Sequence, residues 1–303
     1  MSEGGDVSVE AAALCTLARQ AGAAVMEIYR SAAESELQVD HKSDDSPLTA
    51  ADRAAHHLIT AGLRKLYPDI PVISEEGAEV PYEERKDWER FFLVDPLDGT
   101  KEFISRNGEF TVNIALMEGR YPALGTVYAP ALDRLYYGGE GLGARRQEAG
   151  QALEEIGAPQ RLPGGGHGIS KGGHGGTGGE QGVVVAVSRS HPSPELEEYL
   201  AGLSEPVKER ISAGSSLKFC LVAEGRADLY PRLGPTMEWD TAAGQAVVEG
   251  AGGEVLGIED GIRKEYGSRD LRNRGFVART AGGTSIALSR TEQVLIKDEK
   301  RKG

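Results

Sequence analysis

The chain has 303 residues, enough to bury a sizeable core as one large domain or two modest ones. Its 34 Lys and Arg against 47 Asp and Glu give a net charge of -13, which argues against binding a nucleic-acid polymer or an anionic membrane surface, where a basic patch is needed. A small phosphorylated substrate stays open, because a metal ion can supply the local positive charge.

The first ten residues, MSEGGDVSVE, are acidic and lack a basic-then-apolar leader pattern. No apolar run approaches the roughly 18 residues of a membrane span. A soluble, cytoplasmic protein is the expectation, with peripheral attachment at the inner membrane left open. Leu14, Leu17, Ala18, Ala21, Val25 and Ile28 recur at helical spacing, which predicts an amphipathic helix over about 8–30. Residues 34–46 are polar and loop-like. Thr49 with Asp52 three later reads as a capping-box start, and Ala55, Leu58, Ile59, Leu63 and Leu66 continue a second helix. Asp52 is then either a first-turn acid facing the helix dipole or a site residue.

Val72-Ile73 predicts a short strand that runs straight into Ser74-Glu75-Glu76-Gly77, and residues 79–90 read as charged surface. The central stretch follows. Phe91–Val94 reads as a short buried strand ending in Asp95-Pro96-Leu97-Asp98-Gly99-Thr100. Two carboxylates three apart beside a buried strand are costly to leave unpaired. Oxygen-only ligands suit a hard cation such as Mg2+, which often bridges to a phosphate. Gly99 permits close backbone approach, and a helix starting there would turn its free N–H groups to an anion. Taken alone, the same residues also fit an ordinary turn.

Phe110, Val112, Ile114 and Leu116 alternate as a half-buried strand, and Leu124–Tyr128 and Leu135–Tyr137 extend it into an antiparallel meander. Residues 164–182 carry eleven glycines in nineteen positions and read as a flexible loop. His167 and His174 within it are metal candidates on paper, though a solvated linker is the simpler reading. Val183–Val187 predicts a strand, and Ser193-Pro194 starts a helix. Ser215, Ser216 and Lys218 enter another helix and form either a phosphate cradle or an ordinary N-cap. Asp240 stands at the start of a helix closed by Gly252-Gly253. Strands near 254–256 and 276–278 and a frayed tail complete the chain. Cys15 and Cys220, both in helix-like runs, read as buried thiols, as in a reducing compartment.

Glu75-Glu76, then DPLDGT at 95–100, then WDTAAG at 239–244 resemble the ordered signature of the inositol monophosphatase superfamily of metal-dependent, lithium-sensitive phosphatases. Longer runs, SPLTAAD, VDPLDGTKEFISRNGEFTVNIAL, GTVYAPALDRLYY, SRSH and GSSLKFCLVAEGRADLYPRLGPT, are similar to its 3'(2'),5'-bisphosphate nucleotidase (CysQ) branch. The resemblance covers about residues 10–278. It implies a layered αβαβα sandwich of the α/β sugar-phosphatase type. The expected division is an N-terminal α+β half at 1–160, a glycine-rich loop at 161–182, a C-terminal α/β half at 183–280 and an extension at 281–303.

It further implies that Glu75, Asp95 and the Leu97 carbonyl hold one Mg2+ and that Asp95, Asp98 and Asp240 hold a second, with a third, weaker ion near Asp52. Asp52 and Thr100 would position or deprotonate the attacking water. The Gly99 and Thr100 amides would grip the scissile phosphate, beside the metal-ligating Glu75, Leu97, Asp98 and Asp240. His191, Ser215, Ser216 and Lys218 would hold the nucleotide and its other phosphate. The implied activity is Mg2+-dependent hydrolysis of adenosine 3',5'-bisphosphate to AMP and phosphate, in sulfate assimilation, by a monomer or homodimer. A phosphatase of inositol phosphates or fructose 1,6-bisphosphate, or a non-catalytic nucleotide or metal sensor on the same fold, are the alternatives.

Overall fold

The computed structural model describes residues 3–32, 46–158, 161–162, 166–167, 182–189 and 193–281. Helix α1 (Glu3–Ser31) precedes α2 (Pro47–Leu66). The cap of α2 lies a turn earlier than Thr49: Ser46 Oγ accepts the Thr49 N–H at 3.2 Å, and Pro47 occupies the first position, where its missing N–H costs nothing. Asp52 therefore belongs to the second turn, and it is buried, at 1% exposure.

A seven-stranded sheet follows, ordered β1 to β7: β1 (Val72–Ser74), β2 (Arg90–Asp98), β3 (Thr111–Glu118), β4 (Tyr121–Ala129), β5 (Arg134–Gly139), β6 (Gly143–Gln147) and β7 (Glu154–Ile156). β1 and β2 run parallel, and the rest is an antiparallel meander. β2 extends past Val94 through the acidic motif, with a register shift between Asp95 and Asp98. Short helices α3 (Tyr82–Arg85) and α4 (Thr100–Ile104) flank it. Residues 79–90 are not merely charged surface, because Arg85 is buried and donates to the Ser268 and Arg269 carbonyls at 2.8 Å each.

After a small antiparallel pair, β8 (Arg161–Leu162) with β9 (Gly166–His167), the chain builds β10 (Val183–Ser188), α5 (Pro194–Ala201), β11 (Val207–Ala213), α6 (Leu217–Ala223), β12 (Leu229–Arg232), α7 (Glu238–Gly250), β13 (Glu254–Gly257) and β14 (Phe276–Arg279). The strands from β10 onward form a five-stranded sheet ordered β11-β10-β12-β14-β13, with β10 parallel to both neighbours. His174 and the greater part of the glycine-rich stretch, the tail beyond 281 and His191 lie outside the described residues.

Side-chain alternation divides the core into layers. Phe92 and Val94 of β2 and Val112, Ile114 and Leu116 of β3 face α1 and α2. Phe91 and Leu93, with Ala115 and Met117, face the central layer of α6 and α7. Val183, Val185, Leu229 and Val277 turn from the second sheet to Leu196 and Leu200 of α5. The order is helix, sheet, helix, sheet, helix, as the resemblance implied. The small residues of DTAAG are packing residues. A Cβ at Gly244 would strike the Phe219 side chain of α6, and one at Gly125 of β4 would strike the Ala243 carbonyl. Close approach of α7 to both neighbours sets the height at which Asp240 enters the site.

Both cysteines are free thiols. Burial pushes the Cys15 thiol up to about 11 and raises Cys220 as well, so neither is a ready nucleophile. Among the described residues, no helix is long and apolar enough to cross a membrane.

Candidate active site

The ends of β1 and β2 and the start of α7 open onto a cavity of about 320 Å3. Glu75 enters from the turn after β1, its N–H donating to the Val94 carbonyl at 3.1 Å, which sets it beside the end of β2. Asp95, Leu97 and Asp98 come from β2 itself. The Asp95 carboxylate accepts the Leu97 N–H at 3.0 Å, closing a tight local turn. Gly99, at φ +97°, turns the chain into α4, and a side chain there would strike Ser215 Oγ. Asp240 faces them from the first turn of α7, where one of its oxygens accepts the Met237 N–H at 2.8 Å and completes a helix cap.

Of the residues singled out from sequence, Glu75, Asp95, Leu97, Asp98, Gly99, Thr100, Ser215, Ser216, Lys218 and Asp240 all line this cavity. Asp52 is buried behind the lining and reaches the site electrostatically, adding to the charge felt by Asp95. Burial raises the Asp95 carboxyl well above the usual range, and the charges of Glu75, Asp98, Asp240 and Asp52 push it further. Burial raises Asp98 too, opposed by the Lys218 ammonium. Asp240 is raised to about 8, by burial first and then by Asp98. Such a set suits a hard divalent cation, which would turn mutual repulsion into shared attraction. Among the described residues, no three carboxylate, imidazole or thiol groups already converge as a closed chelate, so the acids are gathered but not closed.

The Ser215–Lys218 turn differs from a simple phosphate cradle. Ser215 is left-handed at φ +46°, a conformation costing about 1–2 kcal/mol for a residue with a side chain. Its hydroxyl donates to the Asp98 carbonyl at 2.8 Å. Lys218 donates to the Ser215 and Ala213 carbonyls at 2.7 and 3.2 Å, so its ammonium braces the turn while lining the cavity. Burial lowers Lys218 to about 8. Arg189 of the SRSH motif is engaged with Glu109 through two bonds of 3.1 and 2.9 Å, and Glu109 also accepts the Gly214 N–H at 2.8 Å.

Three residues with a bearing on the site are not apparent from sequence. Arg232 and Tyr230 line the cavity from β12. The Arg232 Nε is buried without a hydrogen-bond partner, while Nη2 donates to the Pro235 carbonyl at 3.2 Å. Asn113, fully buried on β3 opposite Asp95, donates to Ser216 Oγ at 3.0 Å and to Asp98 Oδ2 at 3.4 Å. A signal for Asn113 did exist: an amide in a strand that is otherwise buried must find partners.

Five layers of helix and sheet with an acid-lined cavity at the ends of β1 and β2 define an α/β layered sandwich. The sequence profile of the inositol monophosphatase family matches residues 6–297, and the chain belongs to that family. It is 51% identical over 264 residues, 87% of this chain and 96% of the relative, to the 3'(2'),5'-bisphosphate nucleotidase CysQ of Salmonella typhimurium. It is 49% identical over 242 residues, 80% and 88% of the two chains, to the protein of the same name from Escherichia coli K12. Among solved structures it resembles CysQ from Bacteroides thetaiotaomicron, with a TM-score of 0.75 and 38% identity over 90% of this chain and 97% of that one.

Proposed function

We infer that this chain is a metal-dependent phosphatase that hydrolyses 3'(2'),5'-bisphosphate nucleotides, adenosine 3',5'-bisphosphate foremost, to AMP and phosphate. The observation that carries the reading is one cavity lined both by acids, Glu75, Asp95, Asp98 and Asp240, and by cations, Lys218 and Arg232. The 51% identity to a bisphosphate nucleotidase, over nearly all of that relative's length, supports the substrate class.

Magnesium is the proposed cofactor, with Glu75, Asp95 and the Leu97 carbonyl as ligands of one ion and Asp95, Asp98 and Asp240 of another; a third, weaker ion fits near Asp52. When bound, Mg2+ supplies positive charge to the phosphoryl oxygens and acidifies water. The protein's own residues do the rest. Thr100, first in α4 and lining the cavity, positions or deprotonates the attacking water with its hydroxyl, and Asp52, buried outside the lining, supports it through its charge. The Gly99 and Thr100 N–H groups face the scissile phosphoryl oxygens. Arg232, which lines the cavity, is the proposed partner of the second phosphate, beside Lys218 and Ser215. Because phosphoryl transfer spreads charge over non-bridging oxygens, positioning and electrostatics suffice without a covalent nucleophile.

We also propose the division into halves at 1–160 and 183–280, with the site between them, and a role in clearing the by-product of sulfate activation. The test is phosphate release from adenosine 3',5'-bisphosphate, inositol 1-phosphate and fructose 1,6-bisphosphate, with Mg2+ and then with added Li+. Preference for the nucleotide, suppressed by Li+, is expected. Preference for a sugar phosphate would reassign the Arg232 wall, and binding without turnover would point to a sensor.

A further inference from the structure

The turn Ala213–Ser216 touches the acid wall at more points than a substrate loop requires. Gly214 is wedged so tightly that a Cβ there would lie 2.8 Å from the Glu109 carbonyl and 2.5 Å from Glu102 Cγ. Ser215 holds the Asp98 carbonyl. Ser216, 1% exposed, is placed where three segments meet. Its Oγ stands 2.8 Å from the Asp240 carbonyl, 3.3 Å from Asp98 Oδ2 and 3.0 Å from Asn113 Nδ2.

A serine hydroxyl has one proton to give and two lone pairs to fill. The Asn113 amide donates to it, so the oxygen is occupied as an acceptor. Its single proton then has two acceptors, the Asp240 carbonyl and the Asp98 carboxylate. The shorter contact places it on Asp240, while Asn113 donates a bond to Asp98 Oδ2 as well. The buried hydroxyl and the Asn113 amide together therefore link the backbone of Asp240 to the side chain of Asp98, more than a hundred residues away in sequence. They do so with Asn113 fixed by register: β3 pairs Asn113 with Asp95 and Thr111 with Asp98. With its single proton given to the Asp240 carbonyl, the hydroxyl has no donor left for a nucleotide phosphate.

We propose that Ser216, backed by Asn113, is a positioning residue for the metal site: it sets the separation of Asp98 and Asp240 and selects which Asp98 oxygen turns toward a divalent cation. This rests on the phosphatase reading for its purpose, but it assigns Ser216 away from the substrate. Residues that orient metal ligands typically cost about 10–100-fold in metal affinity or activity when removed.

The test uses the full chain stripped with chelator, titrated calorimetrically with MnCl2 and MgCl2 as probes, alongside steady-state kinetics. Ser216→Ala is expected to weaken metal binding about tenfold or more. Its turnover should recover at saturating Mg2+, with KM for adenosine 3',5'-bisphosphate unchanged. Ser216→Thr, which keeps the hydroxyl, should restore metal affinity. Asn113→Ala should weaken it in the same direction, and this variant carries the test if the extra methyl of the Ser216→Thr protein prevents folding. Unchanged metal affinity in Ser216→Ala with a raised KM would overturn the proposal and make the hydroxyl a substrate contact. Wild-type metal binding without phosphate release would sink the nucleotidase reading alone, leaving the calorimetric comparison to judge Ser216.

Discussion

Glu238 and Asp240 are two residues apart at the start of α7, both buried or nearly so, and the chain treats them in opposite ways. Glu238 faces the segment 264–273 behind the helix. Its two carboxylate oxygens accept the Gly267 and Ser268 N–H groups, each at 2.8 Å. That segment is tied down throughout: Arg85 holds its Ser268 and Arg269 carbonyls, Tyr266 donates to Gln245 at 2.9 Å, and Asn273 reaches the Met237 carbonyl and Thr241. Asp240 instead faces the cavity, among acids that raise its carboxyl to about 8 after burial has done the larger part. One acid is neutralised by donors, whereas the other is left beside like charges. The contrast shows where this fold spends stability and where it holds a charge conflict in reserve for a ligand.

The largest expected effect lies on the cavity side. Asp98→Asn keeps the shape of the side chain but removes a charge from the proposed metal set. Losing a few kcal/mol of transition-state stabilisation corresponds to about a thousandfold or more in phosphate release. The melting temperature in chelator should not fall, because a repelling charge has gone. Retained turnover would mean that DPLDG is a structural turn.

Arg232→Ala comes next, in the cationic lining of the same cavity. Charge-assisted bonds are worth about 1.5–3 kcal/mol, so kcat/KM for the bisphosphate nucleotide should drop roughly 10–100-fold. A monophosphate ester should suffer much less. An equal loss on both would place Arg232 at the scissile phosphate rather than at the second one.

Glu238→Gln tests the other side of the comparison. An amide cannot accept two N–H groups as a carboxylate does, and it brings an N–H against donors. A loss of about 1–3 kcal/mol in unfolding free energy is expected from chemical denaturation. The folded fraction should keep its turnover. A large fall in kcat with unchanged stability would merge the two regions into one functional unit.

How much of this contrast is readable in sequence depends on how far apart its parts are. The Val183–Val187 strand and the Ser193-Pro194 helix start are local signals that stand where their patterns predict, while β2 contains the predicted Phe91–Val94 but runs on through the acidic motif. The acidic motifs are also local, each following an apolar strand or opening a helix. Ser46 outranks Thr49 as the cap because Pro47 suits the first helical position. β6 and β7, GARRQ and EEI, carry little apolar alternation and give no signal of their own, since the register of a meander supplies what their composition does not. Asn113, Arg85 and the true engagement of Lys218 are tertiary facts: each depends on a partner distant in sequence or on a turn geometry that spacing does not encode.

The smallest expected effect concerns Lys264, in the well-tied region. It is 7% exposed, and its ammonium lies 3.5 Å from the Tyr266 ring centroid. Burial lowers it to about 7, against the partial compensation of Glu238 and Asp240. The folded-state value is thus below the unfolded one of 10.5. Between these limits the unfolded chain binds a proton that the folded chain lacks, so stability rises with pH across that window. Below about 7 the full cost of burying the charge is present. Lys264→Met should therefore be more stable than the wild type at pH 6, and the difference should shrink as pH approaches 10, read as urea midpoints over that range. A Met variant less stable at every pH would show that the ammonium over Tyr266 and beside Glu238 gains more than it loses. Lys264 would then be one more of the fully partnered groups behind α7, and the charge conflict would be confined to the cavity side.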